Sequence, residues 1–145
     1  MKLRHLVSLL LAPALAAFAA DAAPKITPQD AAKLVASGKA VLVDVREAAE
    51  CQETGLAAPA LHLPKSDFDG AQKEWKDFLA KVGDKQVITY CRSGGRAGAV
   101  AAALNAQGVK AASVGSLRDW QAAGLPVRAA DAPAAGSAAE TTKKK

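Results

Sequence analysis

Cysteine, histidine and aromatic residues are scarce in this sequence, and each scarcity removes a class of function. The chain of 145 residues has two cysteines, Cys51 and Cys91, with neither a CxxC pair nor a metal-type spacing between them. Of its two histidines, His5 lies in the apolar N-terminal segment, which leaves His62 alone in the body of the chain. A zinc site needs a set of such ligands, so no metal is expected, and no cofactor-binding motif stands out. A cysteine protease would need a histidine base beside its thiol. His62 alternates with Leu61 and Leu63, which places it on the polar face of a strand instead. Aromatics are 4% of the chain although hydrophobic residues reach 50%. The core must therefore be built from Val, Leu, Ile and Ala, as suits a small α/β domain better than a β-sandwich. The formal charge of +5 is spread along the chain, and three of its positives are the terminal Lys143, Lys144 and Lys145. No basic stripe interleaved with aromatics is present, so nucleic acid is not an expected partner.

The segment 1–23, "MKLRHLVSLLLAPALAAFAADAA", opens with Lys2 and Arg4 and runs apolar from Leu6 to Ala20. Small residues follow at alternate positions. This is the three-part pattern of a secretory signal, too short for a convincing membrane span. It predicts an exported, periplasmic protein that begins around Ala20 to Pro24 and has no membrane association after cleavage. No second apolar run is long enough to span. Export would favour pairing of the two thiols. Cys51 therefore reads either as a buried packing thiol near a helix start or as a resolving partner for Cys91.

Strand and helix signals then alternate. Thr27 and Pro28 start a helix that ends at Gly38. "AVLVDV", Ala40 to Val45, reads as a strand buried on both faces and closed by Asp44, Arg46 and Glu47. "ALHLP", Ala60 to Pro64, is a short strand stopped by proline. Apolar residues recur at helical spacing through Phe68, Ala71, Trp75, Phe78, Leu79 and Val82, predicting one helix closed by Gly83. "QVITY", Gln86 to Tyr90, and "AASV", Ala111 to Val114, are two further buried strands. A helix lies between them and ends at Gly108, and a last short helix starts from Ser116. The expected fold is α/β, a parallel sheet with helices on both faces. It spans 24–128, followed by a disordered alanine-rich tail over 129–145. Trp75 and Trp120 are core residues.

Cys91 stands where "QVITY" meets "CRSGGRAG". In a parallel sheet, ligands bind beyond the carboxyl ends of the strands. Gly94 and Gly95 let backbone N–H groups turn inward, and the positive end of a helix follows at once. Arg92 and Arg96 add charge. The plain reading is a tight connection with a stray thiol. The chemical reading is a nucleophile in an anion cradle, with Arg92, Ser93, Gly94, Gly95 and Arg96 around an anionic substrate.

"CRSGGRA" resembles the active-site loop of rhodanese-type sulfurtransferases, and "LVDVREAAE" resembles that family's first Asp–Val–Arg segment. "GSLRDWQAAGLPV" is similar to its closing stretch. The resemblance runs from about Ile26 to Val127, in a single-domain form. It departs at Leu56, where the family commonly has histidine, and at Ser116, where it usually has glycine. It implies the rhodanese α/β fold, a persulfide on Cys91, and loop N–H groups that hold the transferred sulfur. Cys91 would take a sulfane sulfur from a small anionic donor such as thiosulfate. A thiophilic acceptor, cyanide or a thiol, would then collect it, an exported protein thiol included. Arg96 would stabilise the persulfide and the leaving sulfite, while Asp44 and Arg46 would pair with each other's neighbours to shape the site floor. Two alternatives stay open at this point. One is a persulfide carrier or redox partner module without turnover. The other is a phosphatase or arsenate reductase on the same scaffold, although related cell-cycle phosphatases have one more residue between cysteine and arginine.

Overall fold

A computed structural model describes residues 22–134. The segment 1–21, with most of the expected export signal, and positions 135–145 lie outside the described residues. Four parallel strands form the central sheet in the order β3-β1-β4-β5: β1 Ala40–Asp44, β3 Leu61–His62, β4 Gln86–Cys91 and β5 Ala111–Ser116. Two-residue alternation sorts their side chains. Val41 and Val43 of β1 and Val87 and Cys91 of β4 face one side, with Trp75, Phe68, Val100 and Leu104. Leu42, Ile88 and Tyr90 face the other, with Ala31, Leu117 and Trp120. Both faces are thus covered, as continuous apolar strands require. The first layer carries α3 Lys65–Asp69, α4 Lys73–Val82 and α5 Gly95–Ala106; the second carries α1 Pro28–Ala36 and α6 Leu117–Ala122.

The helix starts follow the expected chemistry. Thr27 caps α1, accepting the Asp30 N–H at 3.2 Å. Ser116 caps α6 by exchanging hydrogen bonds with Asp119 in a capping box. The two tryptophans are core residues, Trp75 at 0% and Trp120 at 1% exposure. Each indole N–H donates to a proline carbonyl, that of Pro64 or Pro126.

Three features depart from, or add to, the sequence reading. The expected continuous helix through Phe68 and Val82 is two helices, α3 and α4, broken at Gly70–Gln72. Gln72 adopts the left-handed conformation there, with φ 53°. Asp67 drives the break, because its carboxylate accepts the N–H groups of Lys73, Glu74 and Trp75 at 2.9, 3.0 and 3.2 Å and so starts α4 anew. A second, antiparallel pair, β2 Leu56–Ala57 with β6 Val127–Arg128, closes the chain ends together. Arg128 locks it by donating to the carbonyls of Ala58 and Ala60, and it also reaches the carbonyls of Ala129 and Ala132 at the start of the expected tail. At the opposite sheet edge, Pro24 accepts the Ser113 N–H at 2.8 Å and Ile26 donates to the Ser113 carbonyl at 3.0 Å, covering β5.

Replacing Asp67 by Ala removes the acceptor for three helix-start donors, so Asp67→Ala is expected to destabilise the fold by about 1 kcal/mol. Urea unfolding of the two proteins measures it, and an unchanged midpoint would rule out Asp67 as the cap.

Candidate active site

The carboxyl edge of the sheet gathers the ends of β1, β3, β4 and β5, and β4 delivers Cys91 there fully buried. Thr89, two residues earlier, donates its hydroxyl to the Ala97 carbonyl at 2.9 Å, which ties the first turn of α5 to β4. Between them the loop reverses at Gly94, whose φ of 95° suits glycine and few other residues. That reversal aims the Gly94 N–H back at the Cys91 sulfur, 3.0 Å away. Helix α5 begins at the next residue, and the N–H groups of its first turn have no acceptor within the helix. The partial positive charge of that helix end adds to the donors. The sulfur therefore lies where negative charge is favoured by fixed dipoles. Arg92, Ser93 and Gly95 are exposed around it. Behind the loop, Ser93, Gly94 and Gly95 form one wall of a 690 Å³ cavity, whose other side includes Lys25, Ser113 and Asp119.

Arg96 is held from outside the loop. Its Nη1 and Nη2 donate to the two carboxylate oxygens of Glu50 at 2.6 and 2.7 Å. Glu50 lies on α2, Ala48–Thr54, and also accepts the Glu47 N–H at 3.1 Å in a capping box. The hydrogen-bonded Arg96 guanidinium pulls the Glu50 carboxyl down to about 2. Glu50 in turn raises Arg96, and the charge of Cys91 acts on Arg96 in the same direction. The guanidinium is thus within electrostatic reach of the sulfur while its paired hydrogen bonds go to Glu50. Sequence reasoning passed over Glu50. The signal for it was the pair of glutamates three residues apart at a helix start.

Beneath the loop, Asp44 and Arg46 form a buried ion pair. They pair with each other, not with each other's neighbours: Nε and Nη2 of Arg46 donate to the Asp44 carboxylate, the shortest contact being 2.6 Å. The remaining donors of Arg46 reach the Thr54 hydroxyl and the Gly55 carbonyl, both at 2.7 Å. Its guanidinium also stands 5.8 Å over the Tyr90 ring. Burial works against the charge of Arg46, but the hydrogen bonds and charge of Asp44 outweigh it and hold its pKa above the ordinary value. The Tyr90 hydroxyl accepts the Ala57 N–H at 2.9 Å, and its pKa is raised by burial and by Asp44. Asp44 and Arg46 thus build the floor of the site, and among the described residues their side-chain hydrogen bonds go to each other, Cys51, Thr54 and Gly55, not to Cys91.

Cys51 belongs to this floor. It sits in the middle of α2, not at its start, 2% exposed, with its thiol 3.7 Å from Asp44 Oδ2. Burial, and then the neighbouring Asp44 carboxylate, push that thiol up to about 12. Both cysteines are free. His62 is half-buried, with Nε2 at 2.8 Å from the Arg46 carbonyl, so it braces the same floor.

A cysteine cradled by its own loop on a parallel α/β scaffold defines a class of cysteine-loop proteins. Within it, the model of the rhodanese-like domain matches residues 27–123, and the chain belongs to the rhodanese-like family. It is 34% identical over 108 residues to the thiosulfate sulfurtransferase GlpE of Actinobacillus succinogenes, covering 73% of this chain and 91% of the relative. Among solved structures it is similar to RPA3614 of Rhodopseudomonas palustris, described as a protein of unknown function and possible tyrosine phosphatase. The TM-score is 0.61 at 25% identity, over 73% of this chain and 85% of that one. It also matches the reduced CoADR-RHD of Bacillus anthracis with a TM-score of 0.55 at 24% identity. That match covers 68% of this chain but only 16% of the other, a likeness of fold alone.

Removing Arg46 strands the buried Asp44 carboxylate, so Arg46→Leu is expected to cost about 3–5 kcal/mol in denaturant unfolding. A loss below about 1 kcal/mol would contradict a dry, paired site.

Because Glu50 titrates lower in the folded chain, its pairing stabilises fully above pH 4.5 and fades as the pH falls from there toward 2. The stability difference between wild type and Glu50→Gln should therefore be constant above that window and vanish through it. A difference that persists at pH 2 would show that Glu50 acts by packing and not by charge.

Proposed function

We propose that the chain is a sulfurtransferase that carries a sulfane sulfur on Cys91. The observation that carries this reading is the Gly94 N–H directed at the Cys91 sulfur at 3.0 Å, at the head of α5. Membership of the rhodanese-like family and the identity to a thiosulfate sulfurtransferase support it. In the first half-reaction the Cys91 thiolate attacks the outer sulfur of a donor such as thiosulfate. A new S–S bond forms, the S–S bond of the donor breaks, and sulfite leaves with its electron pair. In the second, cyanide or a thiolate attacks the outer sulfur of the persulfide, and Cys91 leaves as thiolate. The sequence is ping-pong covalent catalysis.

The terminal persulfide sulfur is anionic, and the first-turn amides of α5 stabilise it without reorganising, while Arg96 stays paired with Glu50. Burial of Cys91 keeps water from that reactive atom. Exposed Arg92 and Ser93 meet the donor's oxygens at the surface. The segment 1–23 reads as an export signal, so the acceptor is a periplasmic thiophile, cyanide or a thiol, an exported protein thiol included.

Intact mass measurement before and after thiosulfate tests this. The protein is expected to gain one sulfur atom, to lose it to cyanide over repeated cycles, and to gain none as Cys91→Ser. A wild-type mass that thiosulfate leaves unchanged would overturn the assignment. Gain without repeated loss would restrict the chain to carrying sulfur.

A further inference from the structure

Arg96 closes the cysteine loop, yet its two terminal nitrogens face the two oxygens of Glu50 at 2.6 and 2.7 Å. This is the forked geometry that arginine otherwise offers to a phosphate. The carboxylate is itself fixed. Its Oε2 also accepts the Glu47 N–H, and Glu47 holds the Ser66 hydroxyl at 2.7 Å, which joins α2 to the start of α3. The pair is only part-exposed, at 33% for the Arg96 side chain and 23% for Glu50, so water screens it incompletely.

Two kinds of anion make different demands on such a loop. A single sulfur atom bonded to Cys91 needs a few convergent amides. A tetrahedral oxyanion puts several charged oxygens into the cradle at once and binds more tightly when a forked cation stands beside the amides. Here that fork is occupied, and the charge that occupies it repels a second anion brought up to Arg96. Thiosulfate escapes the conflict, because it approaches Cys91 with its outer sulfur and leaves its oxygens outside the loop, beside Arg92. Phosphate and arsenate present oxygen from every side and have no such approach.

We propose that Glu50 is the specificity-determining residue of the loop: by holding the fork of Arg96, it leaves a cradle for one sulfur atom and excludes tetrahedral oxyanions. The proposal rests on the persulfide reading of Cys91 and adds what the site rejects. Glu50 is a positioning residue, since it acts on the substrate only through Arg96.

The test is titration of wild type, Glu50→Gln and the double variant Glu50→Gln/Arg96→Gln with inorganic phosphate and arsenate, with circular dichroism to verify folding. Glu50→Gln is expected to bind both oxyanions about tenfold more tightly than wild type, the gain from one freed charge-assisted fork. The double variant is expected to return to the wild-type level. Unchanged or weaker oxyanion binding by folded Glu50→Gln overturns the proposal, as does a gain that survives in the double variant. Should Glu50→Gln not fold, Glu50→Asp carries the test. Its carboxylate is one methylene short of spanning both nitrogens, so a gain in the same direction is expected and no gain is fatal. Sulfur uptake from thiosulfate, read by mass on the same wild-type sample, reports on Cys91 separately. Its failure removes the persulfide reading and the sulfur half of the proposal, whatever the oxyanion result.

Discussion

The buried pair of Asp44 and Arg46 is the constraint on which the rest of the site is arranged. Taking both charges out of water is costly, and their mutual attraction repays that cost only when every remaining donor finds an acceptor. The structure meets the condition. The guanidinium divides its donors among Asp44, the Thr54 hydroxyl and the Gly55 carbonyl. Among the described residues, no buried side-chain nitrogen or oxygen lacks a partner. The acceptors lie at the end of α2, so the requirement for satisfaction fixes that helix against the end of β1. Gly55 tightens the corner further. Its φ is 73°, and a Cβ there would lie 2.5 Å from the Arg128 carbonyl oxygen of β6. A helix anchored at its C-terminal end in this way projects its first turn, with Glu50, toward the loop.

The loop can then stay simple. Its cysteine sits against a fixed amide at a helix terminus, and His62 is committed to the Arg46 carbonyl. Nor does the loop depend on its own arginine for shape alone. The Thr89 hydroxyl, inside β4, holds the first turn of α5 by the Ala97 carbonyl, while Glu50 holds Arg96 from the other side. Two tethers from different elements limit how far the amides can drift from the sulfur. Such preorganisation is the means by which fixed dipoles favour charge without paying for reorientation.

Much of this was legible from residue order, and the rest fails for identifiable reasons. The buried strands announce themselves because both faces are covered, so Val41–Val43 and Val87–Ile88 read as unbroken apolar runs. The α1 and α6 starts are legible because their caps are local, with donor and acceptor three residues apart. The break between α3 and α4 is hidden because Phe68 and Trp75 keep helical spacing across it; in one helix they would lie two turns apart, but across the break their rings stack edge to face at 5.0 Å. Strands β2 and β6 are two residues each, too short for any alternation to register. Cys91 and its glycines are adjacent in sequence and visible as a motif. The partner of Arg96 lies 46 positions away, and no local pattern announces a contact of that range. Asp44 and Arg46 are recognisable as site-shaping charges, but residue order does not show that they pair with each other and not with each other's neighbours. The chain turns at the end of β1, and the Arg46 N–H itself donates to Asp44 Oδ1 at 3.0 Å, which brings the two side chains to one side.

The two cysteines show how far environment, and not residue type, decides chemistry. Both are buried and both are free. Burial, and then the facing oxygens of Asp44, which would set two negative charges together if Cys51 ionised, push its thiol up to about 12. Cys91 faces an N–H donor and the positive end of a helix, where negative charge meets opposite partial charge. A buried thiol beside a carboxylate is a poor nucleophile, because exchange proceeds through thiolate. Burial first, and then the carboxylate that holds the floor together, thus keep the Cys51 thiol protonated, whereas the Cys91 sulfur faces donors.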